Sequence, residues 1–320
     1  MPKSVVIIPA RNGGEKFRAL LESLNNQTYQ PDKRLVIDSL SEDDTALTAR
    51  SNGCEVISVH PEEFKHGATR QWGVDLCPDY EWVIFLTQDA ILAGEDSVKN
   101  LLDCLKDPQV GAAYGRQLPD PLAGPIAAHA RIFNYPDQSV VKSMADAPLF
   151  GIKTAFFSNS FAAYKRPVLM AVGGFPSEAV FGEDTYVAGK MLLAGWKIAY
   201  CAAARVYHSH EYRLLQEFKR YFDIGVFHSR EPWFIQSFGK IAGEGKRFFI
   251  SEINYVRRHN FFLIGAVCLR TVVKLFGYHL GRRERYLPRF LKRKLNIESR
   301  VLAKGALSVK KIGDTYKPTK

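Results

Sequence analysis

Short apolar runs alternate with segments of helical periodicity through the N-terminal part of the chain, and few architectures accommodate that rhythm. The apolar runs occupy residues 4–8, 33–37, 55–59 and 82–86. Between the first two runs, Phe17, Leu20, Leu21 and Leu24 recur at the spacing of one helix face. Continuous apolar runs are typical of strands buried on both faces. The pattern therefore predicts an α/β fold, with a doubly wound, mostly parallel sheet and helices on both of its faces.

The rhythm changes at residues 117–151, a segment that five prolines interrupt. We predict that this segment is a loop-and-helix excursion over the sheet. Beyond it, the pattern predicts strands at residues 154–164, 196–200 and 204–208, and a helix at residues 183–193. The sequence that follows is helical, aromatic and basic. We predict two parts, an α/β domain of residues 1–215 and a basic helical C-terminal region of residues 216–320.

Composition argues against several classes of protein. A chain of 320 residues with 46% hydrophobic content is long and apolar enough for a packed globular fold. Its five cysteines, none in a C-x-x-C spacing, favour neither a disulfide framework nor a zinc knuckle. The N-terminal sequence enters a strand directly and lacks the pattern of a secretory signal. We expect a protein of the reducing cytoplasm.

The formal charge of +11 is concentrated near the C-terminus. Residues 240–320 carry 20 Lys and Arg against 5 Asp and Glu, whereas residues 1–239 have a net charge of −4. This basic region could pack on the α/β domain, contact an anionic membrane surface or bind nucleic acid. No nucleic-acid-binding motif accompanies it, so we expect no nucleic-acid partner. Residues 260–269 are uncharged but too few to span a bilayer, which favours a helix lying in the membrane interface.

Polar residues follow two of the predicted strands. Asp38 ends the second strand, and Asp89 comes just after the fourth. Ligands of open parallel sheets bind at the carboxyl ends of the strands, so both acids are candidate ligands, with helix capping as the alternative. The turn of residues 9–14 is predicted to present free backbone N–H groups at a helix start, where a base or a phosphate oxygen could bind.

Four segments occur in one order: residues 7–14, residues 36–45, the strand end at Asp89, and Gly182-Glu183-Asp184. Together they resemble glycosyltransferase family 2, the inverting nucleotide-sugar transferases of GT-A fold. The resemblance covers about residues 4–215. Within the family, residues 150–166 and 206–210 are most similar to bacterial rhamnosyltransferases of O-antigen and cell-wall polysaccharide biosynthesis.

The resemblance implies roles for individual residues. Asp184 is the implied general base, and Asp89 with His208 is the implied site of a divalent cation, Mg2+ or Mn2+. His210 would lie beside them, near phosphate or acceptor. Capping remains the alternative for the acids, and a core or surface position for the histidines. The implied nucleotide-sugar ligands are Pro9, Ala10, Arg11, Asn12, Asp38, Arg70, Gln88, Asp89 and Glu183.

The chain departs from the family pattern at two positions. The usual strand-end Asp-x-Asp reads Thr87-Gln88-Asp89, so the first carboxylate is absent, and Gln71 stands where Asn is usual. A single carboxylate is compatible with Mg2+, which keeps several waters and takes further ligands from phosphate. The departure leaves the metal dependence open. Arg70 is interpreted as a partner of the diphosphate, with a solvated helical position as the alternative.

We therefore expect a metal-assisted transferase that moves a sugar, L-rhamnose from dTDP-L-rhamnose, onto a lipid-linked saccharide acceptor. We expect it to be peripheral on the cytoplasmic face of the cell membrane. The alternatives are a transferase that uses a UDP- or GDP-sugar and a non-catalytic nucleotide-sugar-binding protein. A dinucleotide-dependent oxidoreductase is disfavoured because no G-x-G-x-x-G follows the first strand.

Overall fold

The computed structural model describes residues 2–177, 181–239 and 243–296. Its first part alternates strands and helices as the apolar pattern predicts. The elements are β1 (Ser4–Ala10), α1 (Gly14–Asn25), β2 (Lys33–Asp38), α2 (Thr45–Ser51), β3 (Glu55–Ser58), α3 (His66–Asp75), β4 (Trp82–Leu86), β5 (Ile91–Leu92), α4 (Ser97–Asp103) and β6 (Val110–Leu118).

The first four strands form a parallel half-sheet in the order β3-β2-β1-β4. Successive side chains point to opposite faces, so Val5 and Ile7 join one apolar layer while Val6 and Ile8 join the other. Helices cover both faces, as predicted. Because β1 pairs with β2 from Val5 opposite Lys33 to Ala10 opposite Asp38, the carboxyl ends of these strands lie at one edge of the sheet.

The second part completes a nine-stranded mixed sheet. Its elements are α5 (Pro125–Asn134), β7 (Val140–Lys142), α6 (Ala147–Phe150), β8 (Phe161–Lys165), α7 (Arg166–Ala171), α8 (Glu183–Leu193) and β9 (Lys197–Tyr207). Strand β8 lies antiparallel between β4 and β6, and β9 pairs with β5, β6 and β7. The predicted excursion of residues 117–151 therefore contains α5 and α6, and also contributes a strand to the sheet.

The strand boundaries in this part differ from the predicted ones. The predicted strand of residues 154–164 begins only at Phe161, because residues 151–155 form a 3-10 helix and residues 156–160 belong to no strand. The two predicted strands of residues 196–200 and 204–208 are the single strand β9. The pairing of β6 with β9 shifts in register between Gly115 and Arg116 of β6. This irregularity allows β9 to continue as one strand through the small residues between its apolar ends.

The C-terminal region is helical, with α9 (Leu214–Arg230), α10 (Pro232–Phe238), α11 (Glu244–His259), α12 (Ile264–Gly281) and α13 (Arg289–Leu295). Phe227, Phe234 and Phe238 join the core layer that also holds Val187 and Ala188 of α8, so the first of these helices pack on the α/β domain. The basic residues from 297 to 320 lie outside the described residues. The boundary near residue 215 stays a prediction.

Helix α12 packs closely on α9. A Cβ atom at Gly277 would lie 2.6 Å from the Phe218 carbonyl oxygen, so the two backbones are in contact there. With the 3-10 turn before it, the helix spans Phe261–Gly281, which is 21 residues. Its most apolar 18-residue window has a mean hydropathy of 1.7, and 11% of that window is buried. Within the described residues, this helix has the length and composition that crossing a membrane requires.

Candidate active site

One carboxylate and two imidazoles converge at the sheet edge. Asp89 follows β4, and His208 and His210 follow β9, which β5 joins to the same edge. Asp89 Oδ1 lies 3.4 Å from His208 Nε2, and Asp89 Oδ2 lies 3.8 Å from His210 Nδ1. One ligand atom of each residue lies within 4.8 Å of the others. We call these three residues the Asp89 cluster.

Gln117 of β6 fixes the orientation of the His208 ring. Its amide Nε2 donates to Ser158 Oγ at 2.9 Å, so its Oε1 faces His208 Nδ1 at 3.0 Å. Since Oε1 can only accept, Nδ1 carries the proton and Nε2 presents a lone pair towards Asp89. An outer hydrogen bond of this kind selects the tautomer that binds a metal.

The charge states in the Asp89 cluster fit a divalent cation. Burial raises the pKa of the Asp89 carboxyl, but the hydrogen bond and charge that His208 supplies when its ring is protonated outweigh burial and hold that pKa well below its usual range. Burial lowers the pKa of His208, and burial with the charge of His208 lowers the pKa of His210 to about 4. At neutral pH a carboxylate and two neutral imidazoles thus face one another, and each of the three groups can offer a lone pair to a cation placed between them.

Asp184 lies in the first turn of α8, after Gly182 adopts a left-handed conformation with φ 76°. Its Oδ2 accepts from the backbone N–H of Asn159 at 3.1 Å, and its Oδ1 accepts from that of Thr185 at 2.7 Å. Burial and the charge of Glu183 raise the pKa of Asp184 to about 6. The side chain is therefore oriented by two backbone donors and has the basicity of a proton acceptor near neutral pH.

Arg70 and Glu183 bind each other in the interior. The Arg70 guanidinium lies 2.8 Å from Glu183 Oε1, and both side chains are buried. Asn159 Nδ2 also donates to Glu183 Oε1, at 3.2 Å, and Asn159 Oδ1 accepts from Tyr164. This network supports the first turn of α8. The implied roles of Arg70 and Glu183 as nucleotide-sugar ligands stay predictions, because in this structure each is the other's partner.

The prediction that the turn of residues 9–14 has free backbone N–H groups is wrong. Side chains from the turn after β2, together with Gln88, accept from every N–H group between residues 11 and 14. The hydrogen bonds are Arg11 N to Gln88 Oε1, Asn12 N to Ser41 Oγ, Gly13 N to Thr45 Oγ1 and Gly14 N to Asp43 Oδ2, at 2.6, 2.9, 2.8 and 3.1 Å. Any nucleoside contact by Pro9, Ala10, Arg11 or Asn12 would therefore use other atoms.

Asp38 is buried and also has local partners. Its Oδ1 accepts from Ser41 Oγ at 2.5 Å and its Oδ2 from Ser41 N at 3.1 Å. Ser41 in turn binds Asn12, and Gln88, next to Asp89, holds the backbone of Arg11 with both ends of its amide. The structure thus links Asp38 to Asp89 along one edge of the sheet, while its role as a nucleoside ligand stays a prediction.

Residues 158 and 159 connect the Asp89 cluster to Asp184. Ser158 accepts from Gln117, which orients His208, and the next residue, Asn159, donates its backbone N–H to Asp184. Gln117 and Asn159 were not predicted from the sequence, because neither belongs to a local motif. Two arginines whose charges act on the cluster histidines, Arg131 of α5 and Arg220 of α9, were not predicted for the same reason.

Comparison with known proteins gives matches over most of the chain. The sequence pattern of Glycosyl transferase family 2 matches residues 5–173. The chain is 46% identical over 287 residues to the O-antigen chain rhamnosyltransferase RfbN of Salmonella typhimurium, covering 89% of this chain and 91% of that protein. It is 44% identical over 289 residues to the O-antigen chain rhamnosyltransferase WbaN of Salmonella anatum, covering 90% and 92%.

Solved structures share the fold at low sequence identity. The mannosyltransferase PcManGT from Pyrobaculum calidifontis, in complex with GDP-Man and Mn2+, aligns over 94% of this chain and 85% of its own, with a TM-score of 0.54 and 18% identity. Residues 1–349 of TarS from S. aureus, in complex with UDP-GlcNAc, align over 88% and 91%, with a TM-score of 0.52 and 14% identity.

Proposed function

This chain belongs to glycosyltransferase family 2, and we propose that it transfers L-rhamnose from dTDP-L-rhamnose to a lipid-linked glycan during bacterial surface polysaccharide synthesis. Family membership confirms the predicted GT-A fold and glycosyltransferase activity. The donor and acceptor are proposed because two relatives named O-antigen chain rhamnosyltransferases match nearly the whole chain. The observation that carries the site assignment is that residues 158 and 159 connect the Asp89 cluster to the carboxylate of Asp184 through hydrogen bonds.

Asp184 would act as the general base. Its carboxylate takes the proton of the acceptor hydroxyl while that oxygen attacks the anomeric carbon of the donor. The bond from the anomeric carbon to the phosphate oxygen breaks on the opposite side, so the configuration inverts. With a pKa of about 6, Asp184 is ionised at neutral pH yet more basic than an ordinary aspartate.

The Asp89 cluster would hold the divalent cation. Bound there, the cation supplies positive charge to the nucleoside diphosphate as it leaves. Asp89 contributes a carboxylate oxygen, and His208, oriented by Gln117, contributes Nε2. We propose His210 as a third ligand. Two imidazole ligands favour Mn2+ over Mg2+, because Mg2+ prefers an all-oxygen shell.

The base assignment is tested by the substitution Asp184→Asn in the full chain. We expect transfer from dTDP-L-rhamnose to fall at least about a thousandfold, because the amide cannot accept the proton. Stabilisation by dTDP and Mn2+ in a thermal-shift measurement should match the wild type. Transfer that survives this substitution would refute Asp184 as the base. Greater stabilisation by a UDP- or GDP-sugar than by dTDP-L-rhamnose would refute the donor.

We also propose that the C-terminal helices contact an anionic membrane surface. Arg270 and Lys274 of α12 pair with Glu217 of α9, so the charged face of α12 points to the protein. The opposite face of α12 and the turn before it are exposed and apolar. These residues, the α12 apolar face, are Phe261, Phe262, Leu269, Val272, Leu275 and Phe276.

This arrangement fits a helix lying in the interface better than one crossing the bilayer. Phe262 is 91% exposed at the end of the face, next to the exposed Arg257 and Arg258 of α11. Apolar side chains flanked by cations suit the boundary between lipid headgroups and acyl chains. Flotation with vesicles that contain phosphatidylglycerol should be lost in the double variant Phe262→Ser with Phe276→Ser. The control Leu47→Ser removes an exposed leucine of α2 and should leave flotation unchanged; equal binding of all three proteins would refute the surface.

A further inference from the structure

We propose that Arg131 and Arg220 form a second binding site for the donor diphosphate, beside the Asp89 cluster and made entirely of protein groups. This inference rests on the proposed function, since it names further ligands for the same donor. The two residues come from α5 and α9, elements that lie outside the parallel half-sheet. The site would hold the leaving nucleoside diphosphate with guanidinium groups in addition to the cation.

A row of aromatic rings in contact with one another extends from the cluster to Arg220. The His208 and His210 rings lie 4.5 Å apart between centroids, and the Tyr212 ring lies 5.3 Å from that of His210. The Arg220 guanidinium carbon lies 5.6 Å from the centre of the Tyr212 ring and 5.0 Å from that of Phe181. Two aromatic faces thus hold the planar group while its N–H groups stay available for an anion.

Arg131 approaches the same place from α5. Its Nε is buried and has no hydrogen-bond partner among the residues that the structure describes. The charge of Arg131 lowers the pKa of His208 and of His210. Burial and the charge of Arg220 lower the pKa of Arg131, and the charge of Asp89 acts in the opposite direction. Within the described part of the chain, neither arginine forms an ion pair with a carboxylate.

Two neighbouring, partly buried cations without a carboxylate partner favour an anion. A diphosphate fits because guanidinium groups bind phosphate oxygens through two parallel hydrogen bonds. The arginine that the sequence suggested for this task, Arg70, is instead paired with Glu183. The segment after β4 also has one carboxylate, Asp89, where the family pattern has two, so the cation would be bound more weakly. The positive charges of Arg131 and Arg220 would compensate for this weaker cation binding.

The reaction gives such a site a catalytic use. When the bond to the anomeric carbon breaks, the phosphate oxygen keeps the electron pair and gains negative charge. Positive groups fixed near that oxygen stabilise the transition state more than the intact donor. Arg131 and Arg220 would therefore strengthen binding of dTDP, the product, more than binding of thymidine, which lacks phosphate.

The test compares Arg131→Gln, Arg220→Gln and the control Lys219→Gln in the full chain. Lys219 precedes Arg220 on α9, so the control removes the same charge from the same helix. Calorimetric titrations would use dTDP, UDP, GDP, thymidine and inorganic pyrophosphate, each with Mn2+. We expect each arginine variant to bind dTDP and pyrophosphate about tenfold more weakly, and thymidine with unchanged affinity. Lys219→Gln should match the wild type.

The outcomes separate this inference from the proposed function. Unchanged dTDP and pyrophosphate affinity in both arginine variants would overturn the second site, whatever the wild type transfers. Equal weakening of thymidine binding would also overturn it, because the substitutions would then act on the fold. If the wild type binds pyrophosphate but no nucleotide, the proposed donor fails, and loss of pyrophosphate binding in the arginine variants still supports the anion site.

Discussion

The turn of residues 9–14 and the Asp89 cluster lie at the same edge of the sheet, but their polar groups are satisfied in opposite ways. In the turn, every backbone N–H between residues 11 and 14 has a side-chain acceptor within the protein. In the cluster, a carboxylate faces two neutral imidazoles, and among the described residues no carboxylate pairs with the two arginines nearby. The first arrangement is complete by itself, whereas bound ions would complete the second.

The difference separates residues that shape the site from residues that bind a ligand. Hydrogen bonds inside the turn fix its geometry before any donor arrives, which lowers the conformational cost of binding. Groups in the cluster are held in position by a second set, Gln117 for His208 and Asn159 for Asp184. We therefore expect substitutions in the cluster to impair chemistry, and substitutions in the turn to impair folding stability.

Of the substitutions that compare the cluster with the turn, loss of a cluster ligand should have the largest effect. In His208→Ala we expect transfer to fall about a hundredfold or more, because the cation loses an imidazole and with it the stabilisation of the leaving group. A titration with Mn2+ should show weaker activation and partial recovery at high concentration. The control His228→Ala removes another buried histidine, which binds Tyr278, and should leave the Mn2+ titration unchanged. Normal Mn2+ activation of His208→Ala would refute the metal assignment and weaken the contrast between turn and cluster.

A smaller effect, on the pH dependence of transfer, should distinguish the role of Glu183 from that of its neighbour Asp184. The charge of Glu183 helps to raise the pKa of Asp184, so Glu183→Gln should lower that pKa, and the unpaired Arg70 would lower it further. Activity requires ionised Asp184 and is lost as pH falls through about 6 in the wild type. The acidic limb of the rate profile should therefore move to lower pH in the variant.

The readout for Glu183 is the pH profile of kcat/KM, since a purely structural loss would lower the rate at every pH. The conservative variant Glu183→Asp keeps the charge and should keep the limb near its wild-type position. A limb that stays at the same pH in Glu183→Gln would show that burial alone sets the basicity of Asp184. Glu183 would then act only as the partner of Arg70.

The parallel half-sheet could be predicted from the sequence because local patterns of apolar residues determine its strands and helices. Strand β4 begins and ends at the predicted residues, and the four apolar residues at helical spacing form the buried face of α1, since apolar runs and periodicity decide both elements. The strand-end position of Asp89 also followed from one segment. In contrast, the partners of Arg70 and of the turn come from segments distant in the sequence, and Gln117 meets His208 only when β6 and β9 pair. Such pairings depend on the tertiary fold and leave no local pattern.

The smallest effect should come from the turn itself. Thr45→Val keeps the shape of a buried side chain but leaves the Gly13 N–H without its acceptor, which should lower the free energy of unfolding by about 1 to 2 kcal/mol. Denaturant titration measures this loss, and Thr48→Val, one turn along α2, is the matched control. Because the Asp89 cluster is untouched, the Mn2+ titration and kcat should stay within about twofold of the wild type. A large loss of kcat with unchanged stability would mean that the turn takes part in the chemistry, and the division between the two regions would be wrong.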